Sequence, residues 1–214
     1  FRGVGSNSIR DRFNEAQTGG YTLKRISIQI LVLMLSLLAA GISSLLLQKH
    51  MTGKAGISLF EAGCEVGGDT GNVSCAKVLQ SPYAVWPHVR GNEDAAAIRK
   101  KVPVAFLGLI YYLALAVWFV GVGLPDASRR WVLLLPGLLI AAGVASSVYF
   151  LFVMFAKLDQ WCPWCLVTHV LNFGIAVCLV WMWRIVKRSP VANVARGAAA
   201  PRNRTPPAQA TAPV

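Results

Sequence analysis

CPWCLVTHVLNFGIAVCLVWMW, residues 162–183, decides the fold. Two cysteines, two residues apart, open a run that stays apolar for about 20 residues, the length a helix needs to cross a bilayer. Pro163 suits the first turn of such a helix, where its missing N–H costs nothing. Cys162 then takes the cap position, nearer the aqueous loop, and Cys165 lies one turn deeper. With Cys165 as origin and about 100° per residue, Cys162, Thr168, His169 and Asn172 all fall within about 60° of it. Cys178 falls on the opposite side. Polar groups inside a membrane face the bundle interior or a cavity, so this face is the candidate site and Cys178 is an apolar packing residue.

Working outward, three more segments reach membrane length: Ile26–Leu47, Val102–Leu124 and Trp131–Ala156. The chain of 214 residues is 55% apolar and 14% charged, against about 25% charged in a soluble domain. The expected class is all-α: an integral membrane four-helix transmembrane bundle with a long outer-side loop. Residues 1–25 read as a polar, mobile cytoplasmic tail, 26–185 as the membrane domain with the outer loop 48–101, and 186–214 as a disordered basic tail rich in Pro and Ala. Within the loop, Asp94–Lys101 favours a short interfacial helix. Leu124-Pro125-Asp126 reads as a tight inner turn. The segment before the first span is polar and that span is full length, so it reads as uncleaved rather than as a signal peptide.

The net charge of +12 follows topology. The N-terminal segment, the Arg129-Arg130 turn and the C-terminal segment carry 13 basic and three acidic residues; the intervening loops carry eight and six. An excess of Lys and Arg marks the cytoplasmic side, which puts both termini inside. No nucleic-acid partner is needed to explain the charge. Cys64, Cys75, Cys162 and Cys165 then share the outer side, where disulfides persist. Gly63, Gly67, Gly68 and Gly71 surround the loop pair and allow it to turn freely.

Thiolates are the nucleophiles of disulfide exchange, and a helix N-terminus favours them. The residues thus point to redox chemistry at Cys162 and Cys165, with purely structural disulfides as the rival. Zinc is disfavoured, because its sites take close-spaced ligand pairs and ten residues separate Cys64 from Cys75.

A loop with two cysteines, Cys75-Ala-Lys-Val-Leu-Gln-Ser81, the segment Val102–Tyr112 and Cys162-Pro-Trp-Cys165 opening the fourth helix together resemble the vitamin K epoxide reductase family. The likeness is greatest to its bacterial disulfide-forming members, over about residues 20–185. It implies that Cys162 and Cys165 are the active pair, with Cys165 facing a quinone and Cys162 exchanging with Cys75. Cys64 would meet an external thiol protein. It also implies quinone contacts from Ser81, Val104, Tyr111 and His169. Val104 and His169 stand where vertebrate members carry Asn and Tyr, so quinone reduction is expected rather than epoxide reduction. A histidine at 169 could donate to a quinone oxygen or simply bond a neighbouring helix.

The expected function is that of a quinone-dependent thiol oxidoreductase, using ubiquinone or menaquinone and no metal, in a bacterial inner membrane with its site facing the periplasm. The residues after Trp183 are too few and too rich in Ala, Pro and Arg for a thioredoxin-like domain, so a separate thioredoxin-like outer-side protein is the expected donor. The alternatives are a non-catalytic membrane scaffold with structural disulfides, or a different quinone-linked disulfide-forming protein. In the latter the Cys-x-x-Cys follows the first helix, not the third.

Overall fold

A computed structural model describes residues 5–64, 72–88, 101–122 and 134–188. Among these, six helices occur in the order α1 (Gly5–Thr52), α2 (Ser58–Cys64), α3 (Cys75–Leu79), α4 (Val104–Gly121), α5 (Leu134–Val153) and α6 (Pro163–Arg188). Two-residue strands β1 (Val85–Trp86) and β2 (Val102–Pro103) pair antiparallel, with Val85 opposite Pro103. Four segments are long and apolar enough to cross a membrane: Ile26–Thr52, Val104–Gly121, Leu134–Leu158 and Pro163–Ile185. They match the four expected spans, with ends shifted by a few residues.

The bundle is assembled around α1 and α6. α1 packs along α4 and α6, and α5 packs on α6. At one end Val32, Leu115, Ile175 and Met182 form a core with almost no exposure, and Cys178 is part of it. At the other end a second core gathers Leu46, Phe60, Val78 and Leu79 around Cys64, Cys75 and Cys162. Leu31, Val117 and Val177 point outward and are exposed, as side chains bathed in lipid would be. Hydrophobic burial between helices has little force in lipid, so polar bonds and close packing carry helix association.

Those bonds lie on one face of α6. The Tyr111 hydroxyl donates to Asn172 Oδ1 at 2.8 Å, and Asn172 Nδ2 donates to Ser147 Oγ at 3.0 Å. Tyr112 donates to the Thr168 carbonyl at 3.1 Å. Asn172 is 1% exposed and thereby joins α4, α5 and α6.

One expectation is revised and three are left aside. The polar stretch 5–25, read as a mobile tail, continues α1 as one helix. The backbone satisfies itself within a helix whether or not lipid surrounds it, so the membrane edge need not end the helix. The interfacial helix at 94–101, the turn at 124–126 and the tail beyond Arg188 lie largely outside the described residues.

Asn172→Leu keeps the side-chain size but strands the Tyr111 hydroxyl. It is expected to cost about 1–2 kcal/mol and to lower the thermal unfolding midpoint in detergent. An unchanged midpoint would remove this network from the account of bundle assembly.

Candidate functional site

The loop cysteines are brought to α6 by backbone bonds. Past α5, residues Met154–Leu158 widen into a π turn, and Asp159 takes a left-handed conformation (φ 48°). Aspartate tolerates that region better than most residues. The turn frees Trp161 to lie beside the loop. Trp161 N–H donates to the Asn72 carbonyl at 2.7 Å, and Ser74 N–H donates to the Trp161 carbonyl at 3.0 Å. Cys75, which starts α3, follows at once; the Ser74 hydroxyl caps that helix by accepting from Lys77 N–H.

The result is a cluster of sulfurs. Cys162 Sγ lies 3.1 Å from Cys75 Sγ and 2.7 Å from Cys165 Sγ. The Cys64 thiol is in turn hydrogen-bonded with that of Cys75. The order of contact is therefore Cys64, Cys75, Cys162, Cys165. Cys178 is not part of it.

α2 carries Cys64 and is held in place by Trp164, which sits between Cys162 and Cys165. The Trp164 ring stacks on Phe60 with centroids 4.8 Å apart and planes 10° from parallel. Its indole N–H donates to the Phe60 carbonyl at 3.0 Å. A Cβ at Gly63 would come 2.8 Å from the same nitrogen, so glycine is required there for close approach rather than for freedom to turn. Between Phe60 and Gly63, Glu61 accepts from Lys49 and from the Ala55 N–H. The Lys49 ammonium holds the Glu61 carboxyl below the usual carboxylate range. α1 itself stops at Gly53, whose φ of +79° suits glycine.

Two influences oppose each other at the sulfurs. The first-turn N–H groups of α6 point at them: Cys165 N–H donates to Cys162 Sγ at 3.3 Å, and the Trp164 N–H reaches Cys75. Both favour thiolate, as the sequence predicts. Burial works the other way and is larger. It pushes the Cys64 thiol up to about 12 and raises that of Cys162. Cys75 is raised first by its bond with the Cys162 thiol, then by burial. With Cys75 and Cys162 fully buried, the thiols of Cys64, Cys75 and Cys162 favour their protonated form. Helix-end activation alone does not set the thiol state here, which corrects the simpler expectation.

Next to the cluster is a cavity of about 440 Å³, within the range of about 300–1,000 Å³ usual for small-molecule sites. Of the four clustered cysteines, Cys165 lines it. Ser81, Val104, Tyr111 and His169 all line it too. Several polar groups there are already engaged: Ser81 donates to the Val78 carbonyl, Tyr111 to Asn172, and Thr168 to the Cys165 carbonyl. His169 Nδ1 lies 3.1 Å from Ser147 Oγ, so it both contacts a neighbouring helix and faces the cavity. Among the described residues, no group of three or more His, Cys, Asp or Glu is arranged to hold a metal.

The vitamin K epoxide reductase family profile matches residues 30–180, a span that contains every described part of the sulfur cluster and cavity. The chain belongs to that family. Its members are membrane oxidoreductases that link thiols to a quinone. No curated protein matches the chain.

Sequence reasoning passed over the clamp of Trp164, Phe60 and Gly63, the pairing of Asn72 and Ser74 with Trp161, and His50 on the cavity wall. Gly63→Val is expected to force Trp164 off its stacked position and undock α2. Overpacking of this kind costs about 1–3 kcal/mol, so alkylation of Cys64, located by mass spectrometry, should quicken about tenfold. An unchanged rate would mean that the clamp does not hold Cys64.

Proposed function

We propose that the chain oxidises a thioredoxin-like protein on the outer side of a bacterial inner membrane and passes the electrons to a membrane quinone, of the ubiquinone or menaquinone type. The observation that carries this reading is the position of Cys162, within 3.1 Å of Cys75 on one side and 2.7 Å of Cys165 on the other. Two static disulfides would give each sulfur one neighbour. Cys75 and Cys162 each have two, which favours exchange over a scaffold with structural disulfides.

The relay balances as ordinary thiol–disulfide exchange. The partner's dithiol reduces the Cys64–Cys75 disulfide and is itself oxidised. Cys75, as thiolate, attacks Cys162 of the Cys162–Cys165 disulfide; the Cys75–Cys162 bond forms and Cys165 leaves as thiolate. Cys64 then attacks Cys75, closing the loop disulfide and releasing Cys162. The α6 pair now carries the two electrons and, with protons from the loop thiols, the two hydrogens. N–H groups of Trp164 and Cys165 steady the negative charge that develops on Cys75 and Cys162 during exchange.

The cavity suits a quinone by size, by its largely apolar wall and by the placement of Cys165 on it. When bound there, a quinone supplies a two-electron, two-proton acceptor. Val104 offers an apolar contact to the ring, while Ser81, Tyr111 and His169 are the polar side chains assigned to it. Surrounding helices exclude water, which protects the reduced thiols from solvent oxidants. The charge distribution supports an outward-facing cysteine cluster, and the outer partner follows from that orientation.

A quinone-coupled assay with a reduced thiol donor tests the reading. Cys165→Ala is expected to abolish quinone reduction, and Cys178→Ala to keep it within about twofold, since Cys178 sits in the far core and only its modest packing is altered. Full activity in Cys165→Ala would overturn the proposed function.

A further inference from the structure

His50 stands in the last turn of α1, is 6% exposed and lines the cavity. Its Nδ1 lies 2.7 Å from the Leu79 carbonyl oxygen. A carbonyl can only accept, so Nδ1 carries the hydrogen. In the neutral ring Nε2 is then an acceptor with a free lone pair. That nitrogen is buried, and no hydrogen-bond partner meets it among the described residues. The hydroxyls of Ser81, Tyr111 and Thr168 differ, since each already donates within the protein. A buried polar atom without a partner is a costly arrangement and calls for one.

The chemistry of the partner is constrained. Nε2 accepts, so the ligand must present a donor. The oxygens of an oxidised quinone only accept, whereas those of a hydroquinone carry hydrogens. We infer that His50 Nε2 accepts a hydrogen bond from a ring hydroxyl of bound hydroquinone, so that the cavity holds the reduced form of its ligand more tightly than this wall would hold the oxidised form. The inference rests on the quinone reading of the cavity and deepens it. No proton moves onto His50: the hydroxyl keeps its hydrogen and shares it. The effect favours the transfer of electrons out of the α6 pair, because it stabilises the product of that transfer inside the site.

The Leu79 bond fixes this geometry. It sets the tautomer and joins the end of α1 to α3, the helix that begins with Cys75. A substitution that keeps this bond and removes the acceptor from the Nε2 position is therefore informative. Asparagine does both: its amide N–H takes the place of Nδ1–H, and its amide oxygen falls at the Cδ2 position, short of where Nε2 stood.

Equilibrium binding of a short-chain ubiquinol and of the corresponding ubiquinone to the purified full chain, read by quenching of tryptophan fluorescence without oxygen, tests the inference. His50→Asn should weaken ubiquinol binding about tenfold, the size of one buried hydrogen bond, and leave ubiquinone binding unchanged. His50→Phe keeps the ring shape without either nitrogen; it should show the same selective loss and serves if His50→Asn does not fold. Equal loss for both redox forms, or no loss in either variant, would overturn the role of His50 while leaving the cavity reading intact. Failure of the wild-type chain to bind either form would overturn both.

Discussion

Two backbone hydrogen bonds, Trp161 N–H to Asn72 and Ser74 N–H to Trp161, hold the site together. Trp164 fixes the helix of Cys64 against α6 and His50 ties α3 to α1, while these two bonds tie the segment that leads into Cys75 to the residue before Cys162. With them, Cys75 starts its helix one residue after the second bond and meets Cys162 at 3.1 Å. The bonds need Trp161 out of helical conformation, and the π turn and left-handed Asp159 provide that. Such local departures from regular structure are common where a chain positions reactive groups. A short bridge is also easier to break than a long ladder, which suits the exchange proposed for this segment.

The same geometry explains how the sulfurs can be both close and quiescent. Burial raises the thiols of Cys64 and Cys162, and the N–H groups at the start of α6 act against it. Burial is the larger effect in the all-thiol state. In the proposed exchange the negative charge spreads over neighbouring sulfurs that already face those N–H groups, so the helix end would act where charge develops rather than at rest. Trp164 couples the two halves of the arrangement: its backbone N–H serves Cys75, and its ring holds the helix of Cys64.

Much of this was legible in the sequence, for identifiable reasons. A bilayer imposes a length on apolar segments, so the four spans could be read with small errors at their ends. Helical period placed Cys165, Thr168, His169 and Asn172 on one face, and Asn172 indeed ties three helices together there. Hydropathy reports where lipid ends, not where a helix ends, so the polar stretch before Ile26 gave no sign that α1 continues through it. Contacts between distant segments left no local trace. Nothing near Trp164 announces Phe60 or Gly63, a one-residue bridge at Val73 and Trp161 has no period, and His50 at the end of a span gives no hint that Leu79 fixes its tautomer.

The most direct measurement on the central claim, that Cys75 and Cys162 exchange with each other, is a disulfide map of Cys165→Ser by mass spectrometry under non-reducing conditions. Removing Cys165 leaves Cys162 without its neighbour on α6, so it should attack Cys75 and accumulate as a Cys75–Cys162 disulfide with Cys64 free. A map that shows only Cys64–Cys75, with Cys162 as a free thiol, would contradict the relay.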